Sequence, residues 1–456
     1  MVFAEESIKV GLLENRSGEF ALHGTPKYHG TRLAIEEINN GYTLLGGPVG
    51  PGGRGVFADY AAEAPLSSVQ NDNRKIEILD DGGSRADSDV IFKQEDQILV
   101  ESGEKGLLGS QVELFAPDPQ SSNRMYQQLA RQLILQEEVD VIMGGFASSE
   151  REAIRPLMND YDMLYFYSNQ YEGGVADKNT FLTGAVPTQQ IVPVMEYMVE
   201  NYGPRIYILA ADYNFGQLSA SWTKAFAPVL DAEIVGEEYV PLEVSEFSTQ
   251  ISRIQQADPD WVMMYITGGP HSNFYPQANA AGLNVPYGSS INMAQGYEHL
   301  RFDAPALENM HVAVNYMQEI PTERNQRFVE RWHEMFPEEP YISQQAQNAY
   351  VTTHLRPKAV REAGTTDKEE VTKVLESGIS VEAPEGTVAM DPATHHLSHH
   401  IRLARADEDH NISFIKEWPS IGTWWLKRLG VNLVREAEFK QYEPEDDPYF
   451  RELLDF

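Results

Sequence analysis

The sequence predicts an α/β fold built from doubly wound parallel sheets in two successive units. Short apolar runs with strand character alternate with amphipathic stretches of helical period, which is the pattern of a parallel sheet with helices on both faces. The 456 residues correspond to two or three domain-sized units. A hydrophobic content of 42% is enough to give each of them a packed core.

The elements follow in order. Ile8 to Leu13 reads as a buried strand, and Tyr28 to Asn39 as a helix with Leu33, Ala34 and Ile38 on one side. Gln111 to Ala116 is a strand ended by Pro117, and Ser122 to Glu137 is a helix capped by Ser121 or Ser122. Strands at Val139 to Met143 and Leu164 to Phe166 flank a helix from Glu150 to Asn159. The second unit runs through a helix at Thr188 to Glu200, a strand at Arg205 to Ala210 and a helix at Gly216 to Leu230. It continues with a strand at Glu233 to Val240, a helix at Phe247 to Gln256, a strand at Trp261 to Ile266 and a helix at His271 to Ala281. Helices are expected at Asn325 to Met335, Gln344 to Ala363 and Lys368 to Leu375, and strands at Ser398 to Arg405 and Ile412 to Trp418.

Composition excludes several functions. Asp plus Glu number 69 against 35 Lys plus Arg, a net charge of -34, which disfavours nucleic acid and anionic membrane as partners. The acidic residues are dispersed, as at Glu338-Glu339 and Glu369-Glu370, a pattern suited to high salt, where self-repulsion is screened. No cysteine is present, so disulfides, thiolate catalysis and Cys-ligated metals are out. No run of about eighteen apolar residues occurs, so no transmembrane helix is expected. The opening MVFAEES reads as the residue of a cleaved secretory leader, with the start of a cytosolic chain as the alternative.

The chemistry concentrates in VIMGGFASSEREAIRPLMNDYDMLYFYSNQYEGG, from Val141 to Gly174. Two strand ends there carry hydroxyl, amide and aromatic groups, at the place where open α/β sheets bind ligands. Ser148 and Ser149 sit at a helix start, where hydroxyls and free N–H groups hold a carbonyl or carboxylate oxygen. GGFASSER and YFYSNQYEGG resemble the type I periplasmic substrate-binding proteins of ABC transporters, in the urea- and short-chain-amide-binding branch related to Leu/Ile/Val-binding proteins. IKVGLLENRSGEFALHGTPKYHGTRLAIEEIN, FLTGAVPTQQIVP, ILAADYNFGQ and TVAMDPATHHLSHHIRLARA agree, so that the resemblance covers about Ile8 to Pro419.

The resemblance implies two discontinuous lobes joined by three crossings, near Gly184 to Pro187, Tyr316 to Ile320 and Asp391 to His395. Lobe 1 would be 7–185 plus 318–395, lobe 2 would be 186–317 plus 396–420, and 421–456 a C-terminal extension of unassigned role. Against that frame, Gly41 to Lys105 is an insertion, expected to be disordered or loosely packed, with a short strand at Lys75 to Leu79.

A pocket is then expected from the loop Ser17 to His23, from Phe146 and Ser148, from Tyr167, Asn169, Gln170 and Glu172, from Tyr213 and Phe215, and from Gly268 and Asn292. Their joint chemistry is donors for a carbonyl oxygen, acceptors for amide hydrogens and aromatic walls. The loop of Asn292 resembles one that supplies a glutamate in amino-acid-binding relatives. A buried ammonium without a carboxylate is costly, so Asn292 favours a neutral amide or urea, unless Glu172 serves as counter-ion. The alternative for Glu172 is a carboxylate that caps its own turn.

Other motifs point away from chemistry. THHLSHH, with His395, His396, His399 and His400, invites a metal reading, since on a helix His396 and His400 would share a face and could bind zinc, but the segment leads into a strand. DDGGSRADSD lacks the spacing of a calcium loop, and GGPVGPGGRG lacks the end of a phosphate loop. FASSER lacks the glycines of a nucleophile elbow. No cofactor, metal or catalytic residue is expected. The expected function is an extracytoplasmic, periplasmic or extracellular protein that closes on urea or a short amide and passes it to the permease subunits of an ABC importer. The alternatives are a branched-chain or aliphatic amino-acid-binding protein of the same fold, or a cytosolic amide sensor controlling a regulator.

Overall fold

The computed structural model describes residues 7–46, 98–267 and 269–454. The first sheet is built from β1 (Ile8–Leu13), β4 (Val112–Phe115), β5 (Val141–Gly144), β6 (Tyr165–Tyr167) and β8 (Thr180–Leu182), after the short strands β2 (Tyr42–Leu44) and β3 (Leu99–Glu101) and with β7 (Val175–Asp177) before β8. Its order is β4-β1-β5-β6-β8 and every pairing is parallel. Helices α1 (Ala21–Asn39), α2 (Asn123–Leu135) and α3 (Ser148–Asp160) connect these strands.

Period-two patterning assigns each strand residue to one side of the sheet. Val141, Met143 and Phe166 enter one cluster with Leu33 and Ile38 of α1. Ile142, Tyr165 and Tyr167 enter the opposite one with Tyr126, Leu129 and Leu133 of α2. The i, i+3, i+7 spacing of those three α2 residues is the reason this segment is a helix with one buried face. Each such apolar side chain contributes about 1.5–3 kcal/mol on burial. Ser122 caps α2 by accepting from the Met125 N–H.

The second sheet follows the same logic. Helices α4 (Pro187–Tyr202), α5 (Asn214–Phe226), α6 (Ser248–Ala257) and α7 (Gly269–Ala280) alternate with β9 (Arg205–Ala211), β10 (Glu233–Val240), β11 (Trp261–Tyr265), β12 (Tyr287–Ser289) and β13 (Met310–Val314). The strands pair in the parallel order β10-β9-β11-β12-β13. Ile206 and Ile208 pack on the side of α4 and α5, Tyr207 and Leu209 on the side of α6 and α7.

The chain then returns to the first core through α8 (Glu323–Met335), α9 (Gln344–Ala363) and α10 (Lys368–Leu375), giving Phe328, Trp332, Tyr350, Leu355 and Val371 to the cluster that holds α1. Strands β14 (Ser380–Ala383), β15 (Gly386–Met390), β16 (Leu397–Ala406) and β17 (Ile412–Ile421) follow. Antiparallel pairing links β13 to β16, β16 to β17 and β15, and β15 to β14. Val381, Val388, Met390 and Leu397 nonetheless pack in the first core. Sheet bonding and core packing thus mark the third crossing differently, and the division into 7–185 plus 318–395 and 186–317 plus 396–420 stays a proposal.

Helix α1 begins seven residues before the expected Tyr28. The loop expected from Ser17 to His23 is therefore helical from Ala21 onward. Strands β7, β8 and β12 to β15 were not expected; all are three to five residues long, too short to show a period. The insertion departs from loose packing at both ends. Its flanks pair as β2 and β3, with Leu44 and Ile98 fully buried in the first core. Its interior, including Lys75 to Leu79, lies outside the described residues. Among the described residues no helix is long and apolar enough to cross a membrane.

Candidate functional site

A cavity lies where the two units face each other. Phe146, Ser148, Asn169 and Gln170 line it from one side and Tyr213, Phe215, Thr267 and Gln295 from the other, around about 220 Å³ of space that is partly open to solvent. All eight follow the carboxyl ends of β5, β6, β9, β11 and β12, the positions at which open α/β sheets present ligand-binding groups. Above the cavity Phe20, Phe146 and Ala147 form a small apolar cluster against Tyr213 and Leu242. His23 stacks on Phe146 at 4.6 Å and 2°. Burial, and then the charges of His271 and Arg301, push the His23 pKa down to about 3, so the ring is neutral here.

The turn after β5 sets the first wall. Gly144 and Gly145 have φ of +114° and +93°, and a Cβ on Gly145 would meet the Tyr165 hydroxyl at 2.9 Å. This turn aims the Phe146 carbonyl inward, where it accepts from the Tyr167 hydroxyl at 2.6 Å and from Asn169 Nδ2 at 2.9 Å. The second bond fixes the orientation of the Asn169 amide, and its Oδ1 is left buried without a partner. Across the cavity, Gln295 Nε2 is likewise buried without a partner. The unpartnered acceptor thus belongs to a residue of one wall and the unpartnered donor to a residue of the other. Tyr213 and Phe215 add an aromatic side, with Phe215 edge-on to Tyr265 at 6.2 Å and the Tyr213 hydroxyl accepting from Thr267 at 3.4 Å.

Ser148 offers the opposite of what its position in the sequence suggests. Its hydroxyl donates to Glu172 Oε2 at 2.5 Å, so toward the cavity it presents a lone pair and not a hydrogen. The start of α3 is also occupied: Glu150 Oε2 accepts from the N–H groups of Phe146 and Ala147 at 3.0 and 2.8 Å. A ligand carboxylate would meet that carboxylate there. Ser149 turns away, toward Asn123.

Of the ten residues singled out in the sequence, Phe146, Ser148, Asn169, Gln170, Tyr213 and Phe215 line the cavity. Gly268 lies outside the described residues. Tyr167, Glu172 and Asn292 are set behind the wall, each held by its own partners. Tyr167 is consumed by the Phe146 carbonyl. Glu172 is neither a free counter-ion nor a cap of its own turn: it is ion-paired to Arg151 at 2.7 Å and accepts from Ser148 and Gln441. Burial acts to raise its pKa, but the Arg151 charge and these hydrogen bonds outweigh it and hold the carboxyl below the usual range. Asn292 bonds Tyr275 at 2.8 Å, His271 and Ser289, and so faces its own unit's interior. Its value as a discriminator of ligand charge is lost with that orientation. Thr267 and Gln295 went unnoticed in the sequence. Both follow strand ends, the one signal that could have found them.

The four clustered histidines do not converge on a common point. His395 pairs with Glu376, His396 with Tyr171, His399 with Glu385 and His400 with Glu417. No group of three or more metal-ligating side chains occurs among the described residues.

A family model described as periplasmic binding protein matches residues 7–411. The chain belongs to the periplasmic binding protein family. It is accordingly a solute-binding protein of the ABC-transporter type and not an enzyme, from a family that works outside the cytoplasm. It is 23% identical over 326 residues to Leu/Ile/Val-binding protein homolog 6 of Brucella abortus, covering 69% of this chain and 82% of that protein. The fold resembles a solute-binding protein of an ABC transporter from Rhodopseudomonas palustris in complex with 3,4-dihydroxybenzoic acid, at TM-score 0.69, 18% identity, and 92% and 99% of the two chains. It also resembles the leucine-binding protein LivK of Thermotoga maritima, at TM-score 0.64, 15% identity, and 90% and 98% coverage.

Proposed function

We propose that this solute-binding protein captures urea or a short-chain amide by closing its two lobes on it, and delivers it to the permease subunits of an ABC importer. The observation that carries this reading is that two residues lining the cavity from opposite sides each hold a buried, unpartnered group, Asn169 Oδ1 and Gln295 Nε2. An amide needs an acceptor for its N–H and a donor for its C=O, and a buried polar group without either is costly. Ser148 supplies a second acceptor, matching the second N–H of a primary amide or urea. The cavity-lining side chains carry no charge, and the neighbouring carboxylates of Glu150 and Glu172 are already bonded. An amino-acid zwitterion would bring an ammonium and a carboxylate with no opposite charge to meet them.

In this reading Phe146, Ser148, Asn169, Gln170, Tyr213 and Phe215 contact the ligand together with Thr267 and Gln295, while Tyr167, Glu172 and Asn292 support them. A second reading is an aromatic acid, favoured by the rings of Phe146, Tyr213 and Phe215 and by the dihydroxybenzoate complex of the Rhodopseudomonas palustris protein. Thermal-shift measurements with urea, formamide, acetamide, leucine, valine and 4-hydroxybenzoate separate the two, since a ligand specific to the folded state raises its melting temperature. Stabilisation by an amide is expected, with no ammonia released over an NMR time course. Stabilisation by leucine or 4-hydroxybenzoate alone overturns the amide reading.

A further inference from the structure

The chain continues beyond residue 411, where the family match ends. The described part of the extension 421–456 lies across both lobes. On the second lobe, α11 (Trp424–Arg428) sets Trp425 edge-on to Trp222 at 4.5 Å, and α12 (Pro448–Leu454) sets Phe450 5.1 Å from Phe226. On the first lobe, β18 (Phe439–Gln441) pairs antiparallel with β7, Gln441 opposite Val175. Tyr442 N–H donates to the Gly174 carbonyl at 2.7 Å. At Gly174, with φ +87°, a Cβ would come within 1.8 Å of the Tyr442 carbonyl oxygen, so this approach of the extension requires a glycine.

Gln441 is thus held in register from both sides, and its side chain reaches the Glu172 cluster. Nε2 donates to Glu172 Oε1 at 2.7 Å and to the Gly173 carbonyl at 3.0 Å. The other oxygen of the same carboxylate accepts from Ser148 in the cavity wall. Arg151, the remaining partner, holds Oε1 as well, so Gln441 and Arg151 together fix the rotation of the carboxylate.

We propose that Gln441, supplied by the C-terminal extension, is a positioning residue of the binding site: it orients Glu172 so that Ser148 donates backward and presents only an acceptor to the ligand. This rests on the reading of the cavity as the amide site. Without Gln441 only Arg151 holds Oε1, the carboxylate is less firmly set about its last bond, the Ser148 hydroxyl gains freedom to rotate, and the preference for N–H-bearing ligands weakens.

The test is a double-mutant cycle in the full chain with Gln441→Met and Ser148→Ala, read by calorimetry with whichever of acetamide and urea stabilises the wild type. Ser148→Ala should raise Kd about tenfold, and Gln441→Met about three- to tenfold, whereas Gln441→Met in the Ser148→Ala background should change nothing further. Gln441→Glu keeps the shape but sets a second carboxylate against Glu172. Its affinity relative to wild type should fall at about pH 8 and recover at about pH 5, where the added group again carries a hydrogen to donate. Additive effects in the cycle, or unchanged affinity in Gln441→Met while Ser148→Ala binds weakly, overturn the inference and leave the site reading standing. Unchanged affinity in Ser148→Ala, or binding of neither acetamide nor urea, overturns the site reading and this inference with it.

Discussion

Asn169→Leu removes both polar atoms of the Asn169 side chain while nearly preserving its volume. The Phe146 carbonyl loses the bond from Nδ2 but keeps the one from the Tyr167 hydroxyl at 2.6 Å, so no buried acceptor is orphaned. The cost to the fold is therefore that of one neutral hydrogen bond, about 0.5–1.5 kcal/mol. The cost to binding is larger. Oδ1 has no partner of its own, and in the proposed complex a ligand N–H fills that vacancy. With leucine in its place, that N–H is buried unpaired at about 1–3 kcal/mol, equivalent to about 5- to 150-fold in Kd. Calorimetry with acetamide and urea measures this directly, and a melting curve without ligand reports the fold. A Kd within about twofold of wild type, with the fold intact, would refute the placement of the ligand amide against Asn169.

Three further outcomes are expected. Phe215→Ala should weaken binding and also reduce compaction on ligand addition, read by small-angle scattering, because the ring lines the cavity from the second lobe opposite Phe146; normal affinity and normal compaction would remove it from the site. Affinity should fall as pH drops below about 6.5, by at most tenfold per unit, and His23→Gln should flatten the profile. The sign follows from the ring: buried against Phe146 its pKa is depressed to about 3, a hydrated open form restores the ordinary value, and protons between those two pH values therefore favour opening. Melting temperature should rise from low to molar sodium chloride, because a net charge of -34 repels itself until screened; a flat or falling curve would return the acidity to a solubility role.

Most of the longer elements were legible from local pattern, while β7, β8 and β12 to β15 were too short to show one. Ile8–Leu13, Glu233–Val240, Gln344–Ala363 and Lys368–Leu375 were bounded to the residue; the buried strand Ile8–Leu13 and the amphipathic helix Lys368–Leu375 write their pattern into neighbouring positions. The strand-end positions of Phe146, Ser148, Asn169, Gln170, Tyr213 and Phe215 were legible too, and these six line one cavity. What no local pattern carries is which way a polar side chain turns once its strand ends. Tyr167, Glu172 and Asn292 occupy equally suitable positions, yet Tyr167 and Glu172 are claimed by Phe146, more than twenty residues earlier in the chain, and Gln441, in the C-terminal extension. Asn292 is claimed by Tyr275 in the preceding helix. Gln295 lines the cavity, and no such partner reaches its Nε2. Ser148 does have one, and its donor became an acceptor when tertiary packing brought Glu172 within 2.5 Å. The fold followed from periodicity, which is local; the direction of each hydrogen bond in the site waited on contacts between distant segments, and those exist only in the folded chain.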